Sequence, residues 1–168
     1  MKKILITGGA GYIGSFLTEL LLENNFEVTV VDKLMFNEMS LAKACSYNNF
    51  NFIKSDVLDI NNYKLELTKA DFIIPLAGYV GAPMCKVNET YSKKINYEII
   101  SDICNLLSPN QNIIYPNTNS GYGVGEQNEL CTEESPLKPL SGYAKWKVES
   151  EKKVMNRQNS ISFRLATV

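Results

Sequence analysis

The chain has 168 residues, a formal net charge of −1 and 45% hydrophobic residues, which is enough for one domain with a sizeable core. The near-neutral charge gives no basic footprint for nucleic acid and no attraction to an anionic membrane surface. There is no histidine, which excludes a Ser-His-Asp triad, a Cys-His pair and a His-ligated metal. Proton transfer must fall to Tyr, Lys, Asp, Glu or Cys.

In chain order, Ile4-Leu5-Ile6 reads as a buried strand. Its apolar run breaks at Thr7-Gly8-Gly9, too soon for the core of a signal peptide, and no later stretch approaches transmembrane length. A cytoplasmic globular domain is the expectation. The turn Thr7-Gly8-Gly9-Ala10-Gly11-Tyr12-Ile13-Gly14 comes next, and Phe16, Leu17, Leu20, Leu21 and Leu22 then recur at helical spacing. A glycine-rich turn between a first strand and a first helix is where a doubly wound sheet binds a dinucleotide. Gly8 allows the tight turn, Gly11 lets the backbone approach a pyrophosphate, and Gly14 lets helix and strand pack closely. The helix start offers free N–H groups and a positive dipole end to the phosphates. Val28 to Asp32 forms a second strand that ends in an acid eighteen residues beyond Gly14. An acid there can accept both adenosine ribose hydroxyls and repels a 2′-phosphate, which favours NAD over NADP. Lys33 is the complication, since it could partly neutralise such a phosphate as a point charge.

Strands and helices keep alternating. Phe50 to Ile53 is a short strand ending at Lys54-Ser55-Asp56-Val57, Ile60 to Thr68 a weak helical segment, and Phe72-Ile73-Ile74 a strand. Ile95, Ile99, Ile103, Leu106 and Leu107 give an amphipathic helix over 91–107, ending before Pro109. Asn112 to Tyr115 is a strand, a loop spans 116–140, a helix runs over 141–156, and Ile161 to Leu165 is the last strand. This pattern predicts a parallel α/β sheet covered on both faces. Cys45, Cys85, Cys104 and Cys131 are widely spaced without a CxxC pair, which argues against disulfides and a zinc cluster. Asn88-Glu89-Thr90 matches a glycosylation sequon, but without an export signal it reads as chance.

Tyr143 and Lys147 stand four apart and share a helix face. A neighbouring ammonium favours a phenolate, so the pair could take a proton from an alcohol while hydride leaves the same carbon. The same spacing also occurs on ordinary exposed helices. The pair gains weight from Pro116-Asn117-Thr118-Asn119-Ser120-Gly121-Tyr122-Gly123, which puts hydroxyl and amide side chains at a strand's C-terminal edge, where ligands sit in open α/β sheets.

Together these residues resemble the extended short-chain dehydrogenase/reductase family, in its nucleotide-sugar epimerase/dehydratase group, over nearly the whole chain. The resemblance implies a Rossmann-type NAD-binding domain. It rests on Gly8, Gly11 and Gly14 with Tyr12 and Ile13 between them, Asp32, Asp56 and Val57, Leu76-Ala77-Gly78, Asn96, the Thr118–Gly123 segment, Tyr143 and Lys147. By that resemblance Asp56 and Val57 hold the adenine, Leu76, Ala77 and Gly78 line the cofactor, and Asn96 braces the active-site strand. Thr118 bonds the reacting sugar hydroxyl and Tyr143 is the base. Lys147 lowers the tyrosine pKa and holds the nicotinamide ribose.

Two departures from the family pattern stand out. Pro75 replaces a histidine found in many members, a tolerated variation. Asn119 and Ser120 stand where the 4,6-dehydratase branch has an Asp-Glu pair; neither can protonate a leaving hydroxyl as a carboxyl group does. The expected activity is therefore NAD-dependent epimerisation of a nucleotide sugar through a transient ketone. Alternatives are an alcohol dehydrogenase or ketone reductase, a 4,6-dehydratase, or a non-catalytic NAD-binding sensor. The resemblance also implies that the chain stops before a smaller substrate-binding domain. It would then be inactive alone, with apolar surface exposed around the 116–140 loop and the last strand, and a homodimer is left open.

Overall fold

Six strands form one sheet in the computed structural model, which describes residues 1–124 and 130–166. They are β1 (Lys3–Thr7), β2 (Glu27–Asp32), β3 (Phe50–Lys54), β4 (Phe72–Pro75), β5 (Asn112–Thr118) and β6 (Ser160–Leu165). Their order is β3-β2-β1-β4-β5-β6, with neighbours parallel throughout. The chain leaves β1 toward one side for β2 and β3 and later returns to the other side for β4, so β1 and β4 flank the point where strand order reverses. In such sheets that point opens a crevice at the strands' C-terminal ends. Thr7 is level with Val31 on one side and Pro75 on the other, so three strand ends meet there.

Alternating side chains divide the apolar residues between two cores. Leu5, Val31, Ile73, Ile113 and Tyr115 face α2 (Lys64–Lys69), α5 (Ile99–Leu106) and α6 (Gly142–Met155). Ile4, Ile6, Val28, Val30 and Ile74 face α1 (Tyr12–Glu23) and the short 3₁₀ turn Ala44–Ser46. The α1 stripe differs from the periodic reading. Gly14, Thr18 and Leu22 are buried, whereas Phe16 and Leu20 face solvent with Tyr12. Small residues line the sheet side because α1 lies close against the glycine turn. Beyond α1 that face of the sheet is less covered. A groove of about 350 Å³ there is lined by Ile13, Leu17, Phe72, Ile114, Phe163 and Leu165. Phe163 and Ile161 are about half exposed, in keeping with the expected apolar surface near the last strand.

Three elements depart from the periodic reading. The helix expected over 91–107 is α4 (Glu89–Lys93), a π turn (Lys94–Glu98) and α5. Within the π turn the Asn96 carbonyl accepts from Ser150 Oγ at 2.7 Å, a bond to α6 that a regular helix would not leave free. The segment after β4, assigned no element from periodicity, contains α3 (Ala82–Val87), entered through Gly81 at φ +86° with a proline in its first turn. Finally, β5 runs through Pro116 to Thr118. Asn112 N–H donates toward the β4 side and Ile113 N–H toward β6, so alternation turns position 116 to the β4 side. Pairing with β4 has already ended at Ile113, and the missing proline N–H breaks no ladder. Of the 116–140 segment, 119–122 is a 3₁₀ turn, and 125–129 lie outside the described residues. Among the described residues no helix is long and apolar enough to cross a membrane. The four cysteines are free.

Candidate active site

The turn after β1 is fixed by the strands beside it. Gly8 N–H donates to Val31 O at 2.8 Å, and Thr7 O accepts from Leu76 and Ala77 N–H at 2.8 and 2.9 Å. Gly8 has φ +73°, and a Cβ there would lie 2.6 Å from Ala77 Cα. A Cβ on Gly14 would lie 2.6 Å from both Gly8 O and Gly9 Cα, so helix and turn touch backbone to backbone. Gly9, which carried no weight in the sequence reading, meets the Val30 methyls in the same way. Gly11 is the N-cap of α1 and no side chain caps the helix. The first-turn N–H groups of Tyr12, Ile13 and Gly14 lack intrahelical acceptors and point out of the helix start. The contribution of Tyr12 and Ile13 at the turn is therefore backbone. Their side chains lie elsewhere, Tyr12 in solvent edge-on to Phe16 and Ile13 in the apolar groove.

Asp32 closes the turn from β2. Its carboxylate accepts from Ala10 N–H at 3.0 Å and from Leu34 N–H at 2.7 Å. Lys33 turns away to Asp56 Oδ2 at 3.0 Å and Tyr91 Oη at 2.8 Å. The Tyr91 hydrogen bond, with Asp56, raises the lysine pKa against partial burial. Burial would raise the Asp56 carboxyl, but the Leu58 N–H, Lys33 and Tyr91 bring it below its usual value. Lys33 is thus occupied as an ion-pair partner rather than standing beside Asp32 as a spare cation. Val57 faces the core, and its carbonyl accepts from Tyr63 Oη at 2.7 Å.

Leu76 and Ala77 meet the turn through their backbones, while the Leu76 side chain lines the apolar groove. A Cβ on Gly78 would lie 2.8 Å from Asn96 Oδ1. Asn96 is 3% exposed, and its Nδ2 donates to Tyr79 O at 3.0 Å and Ser92 Oγ at 3.3 Å. So buried, it holds the Gly78–Tyr79 segment in place.

Thr118 ends β5. Its hydroxyl donates to Ser120 Oγ at 3.1 Å and accepts from Ser120 N–H at 3.2 Å. Helix α6 starts under a Ser141 cap that accepts from Ala144 N–H at 3.1 Å, with Tyr143 and Lys147 one turn apart. Lys147 Nζ donates to Pro116 O at 2.6 Å and lies 4.1 Å from the centroid of the Tyr115 ring. Desolvation lowers its pKa to about 7, opposed by Glu151. Burial, with the Cys85 thiol nearby, pushes the Tyr143 phenol above its usual value. This corrects the expectation that the ammonium would lower it. In the folded chain the ammonium bonds to Pro116, and burial decides both shifts toward the neutral forms.

The glycine turn, the strand-end acid and a Tyr/Lys helix have therefore gathered at one sheet edge. A sequence profile of the NAD dependent epimerase/dehydratase family matches residues 4–168. The chain belongs to that family. Similar members include CDP-paratose 2-epimerase of Salmonella typhi, 32% identical over 84% of this chain and 45% of that one. The dTDP-D-glucose 4,6-dehydratase of Dictyostelium discoideum is 31% identical over 95% of this chain and 41% of that one. Among solved structures, the UDP-Glc/GlcNAc 4-epimerase of Campylobacter jejuni superposes with a TM-score of 0.82 at 25% identity, over 93% of this chain and 49% of that one. UDP-glucuronic acid 4-epimerase of Bacillus cereus, solved with UDP-glucuronic acid and NAD, shares the fold with a TM-score of 0.84 at 23% identity, over 96% and 55%. The chain spans about half the length of such relatives.

Within this family fold, three contributors carried no sequence signal of their own. Tyr91 joins Lys33 and Asp56 from 58 and 35 residues away, which no spacing rule connects. The Pro116 carbonyl and the Tyr115 ring meet Lys147 from 31 and 32 positions earlier, and Tyr115 reads simply as a strand residue.

Proposed function

We propose that this chain is the cofactor-binding and catalytic half of an NAD-dependent nucleotide-sugar epimerase. The observation that carries the reading is Lys147 bonded to the mouth of β5, which sets Tyr143 and Lys147 against the sheet edge that holds the glycine turn. The residues present fit a dinucleotide. A side chain at Gly8 or Gly14 would fill the turn, the α1 N–H groups have no side-chain cap, and Asp32 bonds the turn at Ala10 N–H. NAD⁺ held there would supply a reversible hydride acceptor. In this reading Gly8, Gly11, Tyr12, Ile13 and Gly14 hold the pyrophosphate through backbone N–H groups, and Asp32 accepts the adenosine ribose hydroxyls. Asp56 and Val57 lie toward the adenine, and Leu76, Ala77 and Gly78 wall the crevice. Lys33, locked to Asp56 and Tyr91, is not offered to a 2′-phosphate.

Tyr143 takes the proton of the reacting sugar hydroxyl and gives it back after the ketone has turned over. Thr118 orients the same oxygen, and Lys147, bonded to the Pro116 carbonyl, offers a donor for the nicotinamide ribose. Asn119 and Ser120 offer no carboxyl group to a leaving hydroxyl, which supports epimerisation over elimination. The proposed partner is a nucleotide sugar. A homodimer is the proposed assembly, supported by the half-exposed Ile161 and Phe163 and checked by sedimentation.

Calorimetry tests the cofactor half directly. NAD⁺ should bind more tightly than NADP⁺, and Asp32→Ala should weaken NAD⁺ by about tenfold, the loss of a charge-assisted bond, while narrowing the preference. Tighter binding of NADP⁺ would overturn the assignment.

A further inference from the structure

Lys147 is held from two directions by consecutive residues of β5. Pro116 lends its carbonyl, which points toward the cleft because β4 no longer pairs at that position. Tyr115 points the other way into the core, is wholly buried, and presents its ring face to the ammonium at 4.1 Å. A cation over an aromatic face is attracted by the ring quadrupole, most strongly where water is excluded. Among the described residues the buried Tyr115 hydroxyl has no hydrogen-bond partner. Ser150, on the facing side of α6, spends its own hydroxyl hydrogen on Asn96 O at 2.7 Å. The ring sits among the buried residues of the core. Core packing fixes it, and the face is what the ring gives to Lys147.

We propose that Tyr115 is the positioning residue of Lys147: its ring face, together with the Pro116 carbonyl, sets where the ammonium sits and favours its charged form. The carbonyl occupies one of the three N–H donors and the ring occupies a second direction. The proposed function calls on the same ammonium for a further donor. Glu151 lies one turn further along α6 with its carboxylate committed to Arg164 at 3.1 Å, and Tyr143 lies one turn before. Tyr115 is the contribution from β5. The ring therefore acts beside the Glu151 charge, which also favours the ammonium. The inference rests on the proposed function only for its consequence in catalysis; the ring–ammonium coupling stands apart from it.

The test follows the Lys147 side chain by ¹³C NMR of lysine-labelled protein, its signal assigned by its disappearance in Lys147→Arg. Tyr115→Phe keeps the face and should titrate within about 0.3 units of the parent. Tyr115→Leu removes the face and should lower the Lys147 pKa by about one unit, a tenfold change in the ionisation constant. Should the leucine variant fail to fold, phenylalanine analogues carrying one, two and three ring fluorines at position 115 keep the shape and drain the face of charge. They should lower the pKa stepwise. A flat series, or a leucine variant titrating like the parent, would overturn the proposal. The readout needs no bound cofactor, so failure of NAD⁺ to bind would count against the proposed function and leave the coupling to be judged by its own titration.

Discussion

At Gly8 the turn needs two things that only glycine supplies: a left-handed backbone at φ +73° and room for Ala77 where a Cβ would stand. Gly8→Ala adds backbone strain to a collision with another backbone segment that cannot rotate away. We expect a loss of about 3 kcal/mol in urea unfolding, since strain and overpacking each cost about 1–3 kcal/mol. A loss below about 1 kcal/mol would mean that the turn relaxes. Asp32 is a different case. Its position was legible from its distance to the glycines, but its present partners, Ala10 and Leu34 N–H, show that it also ties the turn to the end of β2. In the proposed function the same carboxylate also accepts the ribose hydroxyls.

Among the elements, α6 is the most consequential, because its start and its second turn carry separate duties. Ser141 caps it with a bond to Ala144 N–H, so Ser141→Ala should cost about 1 kcal/mol in thermal or denaturant unfolding. Lys147 works against stability. Its folded pKa of about 7 lies below its unfolded value near 10.4, so between those values the unfolded state binds more protons. Stability due to this group therefore rises with pH across that window, and the cost of burying the charge is full below it. Lys147→Met should accordingly stabilise the chain most at pH 6, with a gain that shrinks steadily toward pH 10 in urea titrations. A gain independent of pH would show that Lys147 is not desolvated. The π turn before α5 belongs to this element too, since Ser150 bonds the carbonyl it frees.

For the whole molecule, the reversal of strand order between β1 and β4 gathers residues from 8 to 147 along one edge, so ligand binding should be felt globally. Binding to the folded state alone adds about 2.7 kcal/mol at a hundredfold excess over Kd. For a chain of this size that corresponds to a melting temperature raised by roughly 5–10 °C. Differential scanning with NAD⁺ would show it. No shift at saturating concentration would argue that the crevice does not accept the dinucleotide. The groove beside Phe163 and Leu165 lies on the opposite face from Lys147 and α6, so the shift should be unchanged in Phe163→Ser, measured in the same scans.

The amino-acid sequence by itself determined the order and type of the main elements and the parallel sheet, because apolar periodicity and glycine spacing are local signals. Gly8, Gly14 and Asp32 stand out for the same reason: each is dictated by a backbone geometry that the neighbouring residues already imply. The course of β5 was hidden, since a proline ends a strand on local grounds and only the neighbour's early stop makes Pro116 harmless. So was the solvent-facing side of α1, where Phe16 and Leu20 obey helical spacing yet point outward. Tertiary structure alone decided the ionisation at Tyr143 and Lys147. Spacing on a helix shows that the two share a face, but their pKa values depend on how much water is excluded and on which carbonyl or ring, brought from more than thirty residues away, stands beside the ammonium.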